Sequence, residues 1–133
     1  MEVSPLAAPD VARELVLLGC SGMPKIRQGG SSKAGPVVTD NGMWIIDAPF
    51  KQLLLPKDMA GADDARGQGA DGVWEVSALA RRLESIFGVL AVGIFYGKTG
   101  FDVTKDGGER GGQKPVAVYI GMEDGSTLVR NIK

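Results

Sequence analysis

Two carboxylates bracket the most strongly patterned stretch of the chain: Asp40 and Asp47, in Val37-Val38-Thr39-Asp40-Asn41-Gly42-Met43-Trp44-Ile45-Ile46-Asp47. A pair of carboxyl groups supports general acid–base chemistry only when a second acid–base partner stands within reach. None lies near either residue in sequence. Asp40 flanks a turn and is expected to hydrogen-bond turn amides. Asp47 closes a strand and is expected to cap it or to pair with Lys33 or Lys51. Neither is assigned a catalytic role. The chain contains no histidine, which removes His-based metal sites and Ser–His or Cys–His nucleophile pairs in one step. Cys20 is the single cysteine, so no internal disulfide or thiolate cluster is available. It follows a predicted helix C-terminus, where the dipole disfavours thiolate, and reads as a small buried filler. The glycine- and serine-rich run 29–35 invites comparison with a phosphate loop. A P-loop needs its lysine followed by Ser or Thr at the start of a helix, whereas Lys33 is followed by Ala34 and then a strand. The run is read as structural.

The elements that hold these residues follow from periodicity. Val37-Val38 and Met43-Trp44-Ile45-Ile46 flank Asn41-Gly42, the strongest short hairpin signal. Asn and Gly both tolerate positive φ, so a type I′ turn is predicted. Valine at Gly42 should then cost about 1–3 kcal/mol, far more than valine at Gly107, which is placed in a relaxed loop. Upstream, residues 2–4 read as a strand and Pro9 suits the first turn of a helix. Val11, Leu15 and Leu18 form its apolar stripe, and Gly19 is its stop. Residues 24–28 read as a short strand.

Downstream, residues 51–72 show no clear period, with Leu53-Leu54-Leu55 packing down and 61–72 left outside. A second helix is predicted over 74–87, with Val76, Leu79, Ala80, Leu83, Ile86 and Phe87 on its apolar face. Residues 89–95 form a continuous apolar strand. Residues 97–112, with six glycines, read as an exposed, mobile insertion. Residues 116–120 and 127–132, joined at Asp124-Gly125, close the chain as a hairpin.

A length of 133 residues fits one domain, and 44% hydrophobic with 23% charged residues is ordinary for a folded globular chain. A formal net charge of −1 leaves no broad electrostatic footprint for nucleic acid or an anionic membrane. No apolar run reaches the ~18 residues of a membrane span. The order strand, helix, strand, strand, helix, strand, hairpin is that of an α+β fold of ferredoxin-like, split βαβ type. In it two helices cover one face of an antiparallel sheet.

The run Gly35-Pro36-Val37-Val38-Thr39-Asp40-Asn41-Gly42, followed by an apolar strand and Asp47, resembles the signature of type A ribose-5-phosphate isomerases. Residues 3–19 (VSPLAAPDVARELVLLG), 25–29 (KIRQG), 78–95 (ALARRLESIFGVLAVGIF) and 119–129 (YIGMEDGSTLV) resemble the neighbouring blocks in the same order. The resemblance covers nearly the whole chain, but only the second half of the family's sequence. It implies a small α+β lid, with the last hairpin returning to the sheet of an α/β domain. It also implies conversion of ribose 5-phosphate to ribulose 5-phosphate in the pentose phosphate pathway, in the cytoplasm, with a sugar phosphate as partner and no metal or organic cofactor.

The family draws its chemistry from its first half: a GxGST-like phosphate turn, a DGADE motif, and KGGG with a following Glu. Here Gly125-Ser126-Thr127 lacks the preceding G-x and falls in a hairpin turn. Gly61-Ala62-Asp63-Asp64 lacks the leading Asp and follows the hairpin instead of preceding it. KGGG is absent. No catalytic, cofactor-binding or metal residue is therefore assigned, and Gly35 to Gly42 with Asp47 are read as structural. The chain is expected to begin partway through the family's sequence and to be inactive alone. Its expected parts are a lid-type unit over 1–96 with long loops at 29–35 and 51–72, the insertion 97–112, and the hairpin 113–133. Because 116–120 is apolar at every position, as in strands covered on both faces, self-association through this hairpin is expected. No nucleic-acid or membrane partner is. The alternative is a stand-alone ferredoxin-like module for interaction or small-ligand binding.

Overall fold

The computed structural model describes residues 1–31, 34–61, 66–108 and 111–131. The chain forms two compact units, Met1–Ile94 and Phe95–Lys133. The first is built on strands β1 (Glu2–Val3), β2 (Lys25–Ile26), β3 (Trp44–Asp47) and β4 (Val89–Ala91), with helices α1 (Ala8–Leu17) and α2 (Val76–Glu84). Its sheet runs β2-β3-β1-β4, every neighbouring pair antiparallel. Thus β1, only two residues long, holds a central place. Glu2 lies opposite Ile45 on one side and Ala91 on the other; Val3 lies opposite Trp44 and Val89.

Side chains alternate across this sheet. Val3 and Ile46 are buried and pack with Val11 and Leu15 of α1 and Leu79 and Leu83 of α2. Glu2 and Asp47 fall on the opposite, wet parity. The apolar stripe of α1 is therefore the one its spacing predicts, and its end is a Schellman motif. There the Gly19 N–H donates to Val16 O and the Cys20 N–H to Leu15 O, with Gly19 at φ +80°. Cys20 is half-buried against the core, its thiol donating to Gly22 O. Helix α2 starts later than its period suggests. Glu75 caps it, Oε2 accepting from the Ser77 and Ala78 N–H groups at 2.9 and 3.0 Å. Trp74 stays outside the helix, paired in extended form with Gln68, and its indole N–H donates to Leu18 O at 2.9 Å.

Three expectations for this unit are corrected. Phe87 does not join the apolar face of α2: it is 93% exposed, because the chain turns at Ile86–Val89 with Gly88 at φ +91°. The strand predicted over 89–95 is only three residues long. As an edge strand it pairs, among the described residues, only with the two residues of β1, so its ladder ends where β1 ends. The segment 51–72 is not structureless, and within its second part residues 67 and 72 do pack. It contains 3-10 turns at Pro56–Met59 and Ala70–Gly72 and bridges to Trp74 and Glu75, with Gly67 and Gly72 buried. Asp63 and Asp64 lie outside the described residues.

The second unit holds helix α3 (Gly100–Lys105) and strands β5 (Ala117–Gly121) and β6 (Thr127–Asn131). Helix α3 gives regular structure to part of 97–112, the segment read as an exposed, mobile insertion, and none of its residues is buried. Thr99 Oγ1 accepts from the Asp102 N–H at 3.1 Å and Asp102 Oδ2 accepts from the Thr99 N–H at 2.9 Å, a reciprocal capping box. Gly107, just past the helix, sits at φ +79°, so valine there meets the same penalty as at Gly42 and the expected contrast disappears. Strands β5 and β6 pair from Ala117↔Asn131 to Gly121↔Thr127. Among the described residues the hairpin is largely open: Tyr119 is 72% exposed, and Val118, Leu128 and Val129 are exposed as well.

Candidate functional site

The signature hairpin is built from its turn outward. The Gly42 N–H donates to Thr39 O and the Thr39 N–H to Met43 O, both at 2.9 Å. Gly42 alone takes positive φ, at +73°; Asn41 does not. The type I′ prediction is therefore corrected to the pattern of a type I turn followed by a left-handed glycine. Register explains it. Val38 bridges to Trp44, which leaves five residues between the paired positions, more than a two-residue I′ loop holds. The ascending arm is held one residue at a time: Gly35 O accepts from the Gly29 N–H, Pro36 bridges to Gln28, and the Val37 N–H donates to Arg27 O.

Thr39, not Asp40, satisfies the turn. Its hydroxyl accepts from the Met43 N–H at 3.2 Å and donates to Glu2 Oε1. Asn41 Nδ2 donates to the same oxygen at 3.1 Å. Among the described residues Asp40 makes no hydrogen bond and points to solvent, which corrects its expected role. Among the described residues Asp47 does not pair with Lys51. Arg27 grips it with two nitrogens, Nε to Oδ2 at 2.9 Å and Nη2 to Oδ1 at 2.5 Å, because antiparallel pairing of β2 with β3 sets residue 27 beside 45 and 47 on one face. Lys51 Nζ instead donates to Asp71 O, and Lys33 lies outside the described residues. Glu2 and Arg27 are the polar residues of this site that sequence reasoning missed. The alternation of KIRQG against WIID carried the signal for Arg27. Glu2 had none, since its partners lie some forty residues away.

Electrostatics fix the state of both carboxylates. The Thr39 and Asn41 hydrogen bonds hold Glu2 below its ordinary value, and the Arg27 hydrogen bond, with the guanidinium charge, does the same for Asp47. Both are hydrogen-bonded anions of reduced basicity, poorly suited to abstract a proton. Among the described residues no group of three or more Cys, Asp and Glu could hold a metal ion. The groove of about 570 Å³ beside α1 and α2 is lined by Asp10, Glu14 and Arg82, and Glu14 is paired with Arg82 at 3.3 Å.

The Glu2 clamp predicts a pH dependence. A carboxylate depressed in the folded state contributes stability that is fully present above its unfolded value, about 4.3. That contribution is lost as pH falls through the lower, folded value. Urea midpoints between about pH 6 and pH 3 should fall less steeply for Glu2→Gln than for the parent. Asp47, Asp102 and Asp124, also depressed by hydrogen bonds, keep the remaining slope. Parallel profiles would remove the clamp from the account.

Comparison with known proteins places these features. The sequence profile of the family described as ribose 5-phosphate isomerase A (phosphoriboisomerase A) matches residues 1–104. The ribose-5-phosphate isomerase of Lodderomyces elongisporus is 32% identical over 127 residues, which is 96% of this chain and 36% of that protein. That of Schizosaccharomyces pombe is 49% identical over 59 residues, 44% of this chain and 21% of that protein. The solved structure of ribose 5-phosphate isomerase A from Methanocaldococcus jannaschii superposes with a TM-score of 0.56 at 26% identity, covering 98% of this chain and 40% of that one. The chain thus spans 21–36% of the length of these two curated relatives. No helix among the described residues is long and apolar enough to cross a membrane. With a profile matched over most of its length and a mixed α/β, antiparallel architecture similar to that of a solved member, the chain belongs to the ribose 5-phosphate isomerase A family.

Proposed function

We propose that the chain is a portion of a cytoplasmic aldose–ketose isomerase interconverting ribose 5-phosphate and ribulose 5-phosphate in the pentose phosphate pathway, without metal or organic cofactor. These residues alone do not turn substrate over. The family match over residues 1–104 carries the reaction class. Moving a proton between C2 and C1 through an enediolate needs a free base, a donor or cation for the oxyanion, and a phosphate anchor. At the hairpin Glu2 is committed to Thr39 and Asn41 and Asp47 to Arg27, while Asp40 is exposed and has no second acid–base partner near it in sequence. Ketose formation from ribose 5-phosphate by the purified chain is expected to match a buffer blank, and saturable turnover would overturn this. Co-expression with the remaining portion of a homologous isomerase is expected to restore activity. Failure of the two to associate counts against the reading.

The first unit is read more finely as a ferredoxin-like split βαβ lid, supported by its order β2-β3-β1-β4 and its two core-facing helices. The β5–β6 hairpin is read as part of the sheet of the remaining α/β domain. Without that domain it is expected to self-associate through its exposed apolar faces. Light scattering of the full chain against a version ending at Tyr96 separates these outcomes: a monomeric full chain, or equal aggregation of the shorter one, removes the hairpin as the cause.

A further inference from the structure

We propose that Asn41 is a site of spontaneous deamidation, with a rate set by opening of the turn at residues 39–43. The inference goes beyond the isomerase reading and does not rest on it. In the reaction the Gly42 amide nitrogen, having lost its proton, attacks Asn41 Cγ. The new C–N bond closes a succinimide, the Cγ–Nδ2 bond breaks, and the nitrogen leaves with that proton as ammonia. Water then opens the ring at either carbonyl, leaving an aspartyl or an isoaspartyl linkage at position 41. No other reactant is needed. Asparagine is among the thermally labile residues, and a following glycine leaves the attacking nitrogen free of side-chain hindrance.

The structure supplies both the exposure and the brake. Asn41 and Gly42 are exposed. Yet the attacking nitrogen is engaged: the Gly42 N–H donates to Thr39 O at 2.9 Å. The leaving amide is engaged too, Nδ2 donating to Glu2 Oε1 at 3.1 Å. Both bonds must open before the nitrogen reaches Cγ, so conversion follows the open fraction of the turn. The product is not neutral for the fold. It removes a donor from Glu2 and sets a second carboxylate beside one already accepting from Thr39, so the turn's side-chain hold on Glu2 weakens while the β1–β3 ladder remains. Asn131, the only other asparagine, precedes Ile132 and serves as an internal control.

The test follows intact mass and peptide maps of the full chain during long incubation in mildly alkaline buffer, beside a free peptide of residues 36–47. The expected result is a gain of one mass unit localised to Asn41, as mixed aspartyl and isoaspartyl products, with Asn131 unchanged and the free peptide converting faster. Glu2→Ala should accelerate conversion roughly fivefold, the factor that one net hydrogen bond gives. An unmodified Asn41 after the peptide has fully converted overturns the proposal. Conversion of the folded chain at the peptide's rate overturns the gating, whatever the variant does, and an unchanged rate in a folded Glu2→Ala chain does the same.

Discussion

Gly88→Ala is expected to destabilise the first unit by about 2–5 kcal/mol, the sum of a left-handed backbone term and an overpacking term. At φ +91° an L-residue is strained wherever it is placed. Here the new methyl also runs into the Cβ of Ala7, with Val11 Cγ2 at 3.7 Å. Ala7 cannot retreat, because it is buried and its N–H is held by Ser4 O, while the Ser4 N–H is held by Gly88 O. Gly35→Ala isolates the first term: Gly35 has φ +86°, and a methyl group there would meet nothing within 4 Å, so about 1–2 kcal/mol is expected there. Both tryptophans, Trp44 and Trp74, lie in the first unit, so fluorescence in denaturant reads this unit's midpoint. Equal midpoints for the two variants would show that α1 does not press on the Gly88 turn.

Leu15→Ala should cost about 2–5 kcal/mol, the range for a fully buried leucine truncated to a methyl group. Leu15 has no exposed surface and sits in the cluster with Val3, Val11, Ile46 and Leu79. Its neighbours are held by a strand ladder and a capped helix, so the space left behind does not close by collapse. Leu17, two residues on in the same helix, is 74% exposed, and Leu17→Ala should fall within about 0.5 kcal/mol of the parent. The pair shares residue type, helix and change in side-chain volume, so the difference reports burial alone. A similar loss for both would mean that α1 does not present this face to the sheet.

What could be read from the sequence was local or periodic. Val11 and Leu15, and Leu79 and Leu83, announce their helices because one buried face leaves its spacing in the chain. Gly19 and Gly88 mark the stops by needing positive φ. The two hairpins were visible for the same reason. What escaped depends on register between distant segments. Asn41-Gly42 suggests a two-residue turn, yet pairing of β3 with β1 fixes where Trp44 sits, and the loop takes the length that remains. Asp47 has lysines nearer in sequence, but the β2–β3 ladder delivers Arg27. Thr99-x-x-Asp102 was a legible helix start that the surrounding glycines obscured. The acceptor for Thr39 and Asn41 is Glu2, which no local pattern marks.

The central position of β1 has a consequence for the time course of folding. During synthesis β1 precedes its two partners, β3 and β4, by about forty and about ninety positions, so the sheet closes only through loops of high contact order. Helix α1 has its apolar stripe long before that, and it must wait with Val11 and Leu15 uncovered. The emergence of Ala91 is therefore the step at which this unit gains its full set of pairings, and nascent chains stalled before it should be cut readily by protease at α1, while chains stalled well beyond it should resist.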